Sequence, residues 1–250
     1  MSKFKVLVLG IGDAFSAFHY SSCLALHADS SWWLLDCPHP IRKIVREAAT
    51  KASLSLDLDE FSGILLSHLH ADHSSGVESY AYYMQYVVQR GRGVLYAHPE
   101  VSKKLWPGKL AGSMEWSVHP GQGPKRRDLS DFLELKDLSE NHPVQVGPFS
   151  VECRFTGHSI PTTAFRITAC GRTLGCSADA TFDPHLISWL DEADLIIHEA
   201  GFGPTHTPYD KLHALPKATR EKMRLIHCPD DFDVGKSVIS ALREGEYFEV

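Results

Sequence analysis

The chain has 250 residues, 43% of them hydrophobic and 22% charged, with a formal net charge of −6. That length supports one large domain or two small ones around a substantial core, and the acidic balance weighs against a protein whose main task is gripping nucleic acid. No apolar run approaches the ~20 residues that span a membrane, and the apolar stretch 6–9 is too short for a signal-peptide core, so no membrane partner and a cytoplasmic location are expected.

In chain order, residues 5–9 read as a strand closed by Gly10-Ile11-Gly12-Asp13, and 32–36 as a second closed by Cys37-Pro38-His39-Pro40. Residues 41–52 carry Ile41, Ile44, Val45 and Ala48 on one helical face. A short buried strand at 64–67, a Tyr- and Val-rich helix at 76–90 and a strand at 94–97 follow. From 106 to 148 repeated glycines and prolines break the pattern around one strand at 132–135; such a segment in a compact domain reads as a lid or binding loop. Strands return at 149–155, 163–168, 173–176, 195–197 and 225–226, with helices at 184–192, 216–223 and 234–242. No repeat or linker divides the chain, so 1–250 reads as a single α/β domain with two sheets flanked by helices. The six cysteines contain no CxxC pair, which excludes a zinc knuckle and predicts reduced, mostly buried thiols.

The chemistry lies in the histidines. His68-Leu69-His70-Ala71-Asp72-His73 follows the apolar run 64–67. His68 and His70 are two apart in extended chain and point the same way, and Asp72 and His73 follow where the chain turns into a helix. The same arrangement recurs: Thr156-Gly157-His158, Cys176-Ser177-Ala178-Asp179, Leu195-Ile196-Ile197-His198 and Leu225-Ile226-His227 each end an apolar run in a ligand-type residue. Strand ends along one edge of a layered fold are where a rigid sheet can hold such groups together.

In this HxHxDH form and in the later ligands, the sequence resembles the metallo-β-lactamase superfamily over nearly its whole length. The resemblance implies a four-layer αβ/βα sandwich with metals at one edge. It implies His68, His70 and His158 as ligands of a first metal, Asp72, His73 and His227 as ligands of a second, and Asp179 as the carboxylate bridging both. Asp36 matches a supporting aspartate of the family, although a strand-ending turn residue is the other reading. Imidazole and carboxylate suit two divalent ions, zinc first, with manganese or iron as alternatives. Two cations about 3.5–4 Å apart can share a water and lower its pKa from about 15.7 towards about 7, giving a bridging hydroxide that attacks phosphorus or a carbonyl carbon.

The branch can be narrowed. Position 70 is His rather than the Glu of the diiron branch. Ala193-Asp194-Leu195-Ile196-Ile197-His198-Glu199-Ala200 and His206-Thr207 resemble segments of the ribonuclease Z and phosphodiesterase branch. By that resemblance His206 with Glu199 would assist leaving-group protonation, with Asp72 and His198 as further catalytic candidates. A surface-loop role for His206 and a packing role for His198 stay open. Asp179 follows His158 by only 21 positions, which leaves no room for a tRNA-gripping arm. The compact spacing is closer to phosphodiesterases of small substrates, such as cyclic ribose phosphates.

Three weaker signals resolve less. Gly10-Ile11-Gly12 lacks the third glycine of a dinucleotide loop, since position 15 is Phe. Lys125-Arg126-Arg127 reads as solvated surface or as a steering patch for an anion, and Trp106, Trp116 and His119 as core packing or pocket lining. The expectation is therefore a dinuclear metal-dependent hydrolase acting on a small or cyclic anionic phosphodiester. A lactonase or thioesterase is the alternative, with tRNA 3′-processing behind both; a homodimer is left open.

Overall fold

Continuous apolar runs build the central strands, because these are covered on both faces. In the computed structural model, which describes residues 2–89, 91–118, 121 and 123–250, Val6 to Leu9 of β1 (Lys5–Gly10) are all fully buried. Beside it lie β2 (Cys23–Ala28), β3 (Ser31–Leu35), β4 (Phe61–Leu65) and β5 (Gly93–Ala97). A two-stranded ribbon of β6 (Trp116–Ser117) and β7 (Lys125–Arg126) precedes β8 (Leu133–Asp137) and β9 (Val144–Val146). The second half supplies β10 (Phe149–Phe155), β11 (Thr163–Ala169), β12 (Arg172–Cys176), β13 (Leu195–Glu199), β14 (Met223–Ile226), β15 (Ser240–Ala241) and β16 (Tyr247–Glu249).

One sheet runs β16-β1-β2-β3-β4-β5-β8 and the other β15-β14-β13-β12-β11-β10-β9. Alternation within the strands sorts their side chains into three cores. Val6, Val8, Leu24 and Leu65 meet Phe149, Phe165, Leu174 and Ile197 between the sheets. Leu7, Leu34 and Ile64 face the outer helices Ile41–Lys51 and Val77–Tyr82. Ile196 and Leu225 face Leu186 and Leu190 of helix Pro184–Leu190. The result is the helix–sheet–sheet–helix sandwich expected from the sequence. β3, β4, β5 and β8 are mutually parallel, as are β12 to β15. Their carboxyl ends therefore gather loops, which is where ligands bind in such sheets.

Several local expectations need correction. The predicted helix 234–242 is a single 3₁₀ turn, Val234–Lys236, followed by β15, which pairs parallel with β14. Gly235 weakens a helix there, and burial of Ile239 and Leu242 rewards the extended path instead. The helix at 76–90 is α-helical over Val77–Tyr82 and widens into π-helical turns over Tyr83–Val88, ending at Gln89 with φ +58°. Helix 216–223 shortens to Lys217–Glu221, because Met223 already belongs to β14. Part of the irregular segment is ordered: helical turns cover Trp106–Leu110 and Ala111–Met114. Trp106 stacks on Phe132, whereas Trp116 is exposed; His119 lies outside the described residues. Arg126 pairs with Glu115 and Arg127 with Asp131, so two of the three basic residues are neutralised locally. No helix among the described residues is long and apolar enough to cross a membrane.

Candidate metal centre and active site

His68 and His70 leave β4, Asp72 and His73 sit in the single turn Ala71–Ser74, and His158, Asp179 and His227 follow β10, β12 and β14. The fold brings all seven together. Ligand atoms of His68, His70, His158 and Asp179 lie within 4.8 Å of one another, as do those of Asp72, His73, Asp179 and His227. Asp179 belongs to both groups and divides its oxygens between them. Its Oδ2 is 3.7 Å from His68 Nε2 and 3.6 Å from His158 Nε2, while Oδ1 is 3.3 Å from His73 Nε2 and 3.6 Å from His227 Nε2. Asp72 Oδ2 lies 3.2 Å from both His73 Nε2 and His227 Nε2.

A divalent cation fits this donor set on three observations. The buried Nε2 atoms of His68 and His73 have no hydrogen-bond partner, although orphaned buried nitrogens are costly. Burial pushes the His68 and His70 imidazoles below their ordinary range, leaving neutral rings with a lone pair to give. Burial alone would raise the Asp72 and Asp179 carboxyls, yet the surrounding imidazoles hold both far below the carboxylate range. Burial likewise disfavours the charged His73, but Asp179, Asp36 and Asp72 draw it well above its usual value. Carboxylates this deeply buried require positive charge beside them.

Hydrogen bonds behind the ligands fix which nitrogen each ring offers. Asp36 accepts Ser67 N–H and Ser67 Oγ–H, each at 2.8 Å, and the Nδ1 of His73 at 2.8 Å. Ser67 Oγ, its proton committed to Asp36, takes the Nδ1–H of His68 at 2.9 Å. His158 gives its Nδ1–H to Thr205 O at 3.0 Å. His68, His73 and His158 thus turn Nε2 inward, an orientation that partners of this kind impose on metal-binding imidazoles. Ser67 was not singled out in the sequence; its position directly before His68 was the available signal. Lys109 was also missed: half-buried, it donates to Leu69 O at 2.9 Å and steadies the loop between the first two histidines.

Beside the cage stands a second pair. Glu199, almost fully buried, accepts Ala180 N–H at 2.8 Å, and His206 Nδ1 lies 3.1 and 3.2 Å from its two oxygens. The His206 ring stacks on His227 and meets His158 edge-on, both with centroids 5.3 Å apart. The hydrogen bond to Glu199 raises the His206 imidazole above its ordinary range, against burial, which favours its protonated form. Gly201 makes the approach feasible: a Cβ there would lie 2.8 Å from both Glu199 Oε2 and His206 Cβ. His198 is not brought to this cluster. As the strand neighbour of Glu199 it points to the opposite face, where it is buried and bonded through Nδ1 to Glu199 O at 2.7 Å.

Comparison with known proteins agrees with this geometry. A family model described as Anti-Pycsar protein Apyc1 matches residues 4–243. The Anti-Pycsar protein Apyc1 of Paenibacillus sp. (strain J14) is 26% identical over 238 residues, covering 92% of this chain and 91% of that protein. A cAMP/cGMP-dependent 3′,5′-cAMP/cGMP phosphodiesterase B from Dictyostelium discoideum is 26% identical over 194 residues, 70% of this chain. The match spans only 16% of that much longer protein. Among solved structures, the metallo-β-lactamase fold protein YhfI from Bacillus subtilis superposes with a TM-score of 0.75 at 17% identity, over 99% of this chain and 100% of that one.

Proposed function

This chain belongs to the Anti-Pycsar Apyc1 family and has the metallo-β-lactamase fold, and on that footing we propose that it is a phosphodiesterase that opens 3′,5′-cyclic nucleotides with two divalent metal ions. The observation that carries the reading is a hydrogen-bonded His206–Glu199 pair standing directly against a two-lobed His/Asp cage. His68, His70 and His158 would hold one ion, Asp72, His73 and His227 the other, with Asp179 shared. When bound, the ions supply Lewis-acid polarisation of the phosphate and an activated water. Zinc is the first choice for this donor set, with manganese and iron as alternatives.

The chain's own residues do the rest. Opening a 3′,5′-cyclic phosphodiester adds water oxygen to phosphorus and breaks the P–O3′ bond. The leaving alkoxide is a strong base and needs a proton as it departs. Glu199, fixed by Ala180 N–H, holds His206 Nδ1, which leaves Nε2 to donate that proton to O3′. Asp36 and Ser67 hold His68 and His73 in register throughout. A thioesterase would have less use for a proton donor at that place, because a thiolate leaves far more easily than an alkoxide. A nucleotide substrate and six unpaired cysteines support a reducing, cytoplasmic setting.

The test is direct. Protein reloaded with zinc or manganese is incubated with 3′,5′-cyclic AMP and GMP, lactones and thioesters. Release of the 5′-nucleotides is expected; turnover of lactones or thioesters alone would overturn the reading.

A further inference from the structure

We propose that Phe15 and Phe202 form a stacking wall that takes the flat heteroaromatic base of the substrate; the inference rests on the cyclic-nucleotide reading above. Both rings line one open cleft together with Asp13, Gly201, His206 and His227. That cleft opens directly off the proton donor and the second half of the cage. Phe15 is 84% and Phe202 62% exposed. An isolated exposed phenylalanine needs no explanation, but two in the wall of one polar-floored pocket mark a binding surface.

The rings are carried on backbone that is held in place. Asp13 Oδ1 accepts the Phe15 N–H at 2.9 Å. Asp230 accepts Ser16 Oγ–H and, at 2.7 Å, the Ala17 N–H. Ile11 O accepts the N–H of the candidate ligand His227 at 2.9 Å. The Phe15 loop is therefore tied to the segment that carries the cage, so its backbone is held beside the candidate ligands. Phe202 follows Gly201, the residue wedged between Glu199 and His206, which places it next to the donor in the chain. Such rings hold a base by its π-face with little preference among bases. The described lining offers Asp13 as its one carboxylate, so recognition is of flatness and size rather than of a particular base edge.

The experiment measures kcat and KM of Phe15→Ala, Phe202→Ala and Phe18→Ala on cyclic AMP and on the baseless diester methyl p-nitrophenyl phosphate. Metal content and elution volume are recorded alongside. Phe18 is exposed on the same loop but does not line the cleft, and its variant controls for loop damage. KM for cyclic AMP should rise about 5- to 150-fold in the Phe15 and Phe202 variants, beyond any change on the baseless diester, with kcat little altered. Phe15→Trp should restore the low KM. An unchanged KM in both alanine variants, equal losses on both substrates, or an altered elution volume with unchanged KM would overturn the inference; the last would mark a subunit contact instead. A parent protein that cleaves no cyclic nucleotide would overturn the functional reading and this inference together, whereas an active parent with unaffected variants overturns the inference alone.

Discussion

The most discriminating perturbation is a single methyl group at Gly201. A Cβ there would meet Glu199 Oε2 at 2.8 Å, His206 Cβ at 2.8 Å and His206 Cγ at 3.0 Å, where ordinary contact begins at 3.4 Å. Something must give by roughly 0.6 Å. Glu199 is buried and held by Ala180 N–H, so the half-exposed His206 is what moves. Its 3.1 Å bond to Glu199 then stretches to roughly 3.7 Å, past hydrogen-bond reach. General acid catalysis contributes about 10²–10⁴-fold, and misplacement by about 1 Å can cost about 10²-fold. Gly201→Ala should therefore slow cyclic AMP hydrolysis by about 10- to 100-fold, while a p-nitrophenyl diester, whose leaving group departs unaided, changes by no more than about threefold. The assay is kcat/KM on both substrates with metal content measured in parallel. Equal losses on the two substrates, or a normal rate on cyclic AMP, would refute the argument that the glycine exists to admit the donor.

The other expectations follow from the same geometry. His206→Ala should lose at least as much on cyclic AMP as Gly201→Ala with unchanged metal content, and a fall in bound metal would instead mark His206 as a ligand. Asp179→Ala removes the carboxylate shared by both groups, so elemental analysis after reloading should show both sites weakened and hydrolysis abolished; retention of near-normal turnover would show that another group bridges. Asp36→Ala frees the Nδ1 of His73 and unties Ser67, which should lower metal affinity about 10- to 100-fold by chelator competition. Asp57 caps the turn Leu58–Glu60 in a capping box and pairs with Arg42 and Arg46, so Asp57→Ala should cost about 1 kcal/mol in urea unfolding. The Arg42 hydrogen bond holds the Asp57 carboxyl below its ordinary range. Its contribution is therefore full above the unfolded value of about 3.9, and the gap between parent and variant should close as pH falls through the lowered native value.

How much of this could be read from the chain depended on whether the signal was local. The candidate ligand positions were legible because His or Asp recurs just past the ends of strands, the clearest case being the buried run that leads into His68. Asp36 was expected as a supporting residue but without its partners, since only the folded chain brings Ser67 and His73 to it. β2 was missed although Asp29-Ser30, both with positive φ, mark the tight turn that joins Cys23–Ala28 to β3. β15 was misread as helix because two residues gain their strand conformation from pairing with Arg224 and Leu225, a tertiary effect that outweighs local preference. The packing reading kept open for His198 agrees with its place in the strand: it adjoins Glu199, and strand neighbours point to opposite faces. Phe15 drew notice only as a missing glycine, because nothing local says that a loop near the amino end will lie beside His206.

Both halves of the chain meet in the cage. Asp72 and His227, 3.2 Å apart, are separated by 155 residues, and each sheet sends ligands that the other completes. Metal retention is thus a joint property of two sheets, much as a clasp closes only when both ends arrive. A nascent chain owns four of the candidate ligand side chains by His73 yet cannot complete one group until the residues after β10 and β12 arrive, nor the other until those after β12 and β14 do. During unfolding the order reverses, and metal release should report separation of the sheets rather than fraying of any one loop. A metal-sensitive dye added to a denaturant titration would then follow the same transition as the tryptophans Trp33 and Trp189, which are buried in different cores.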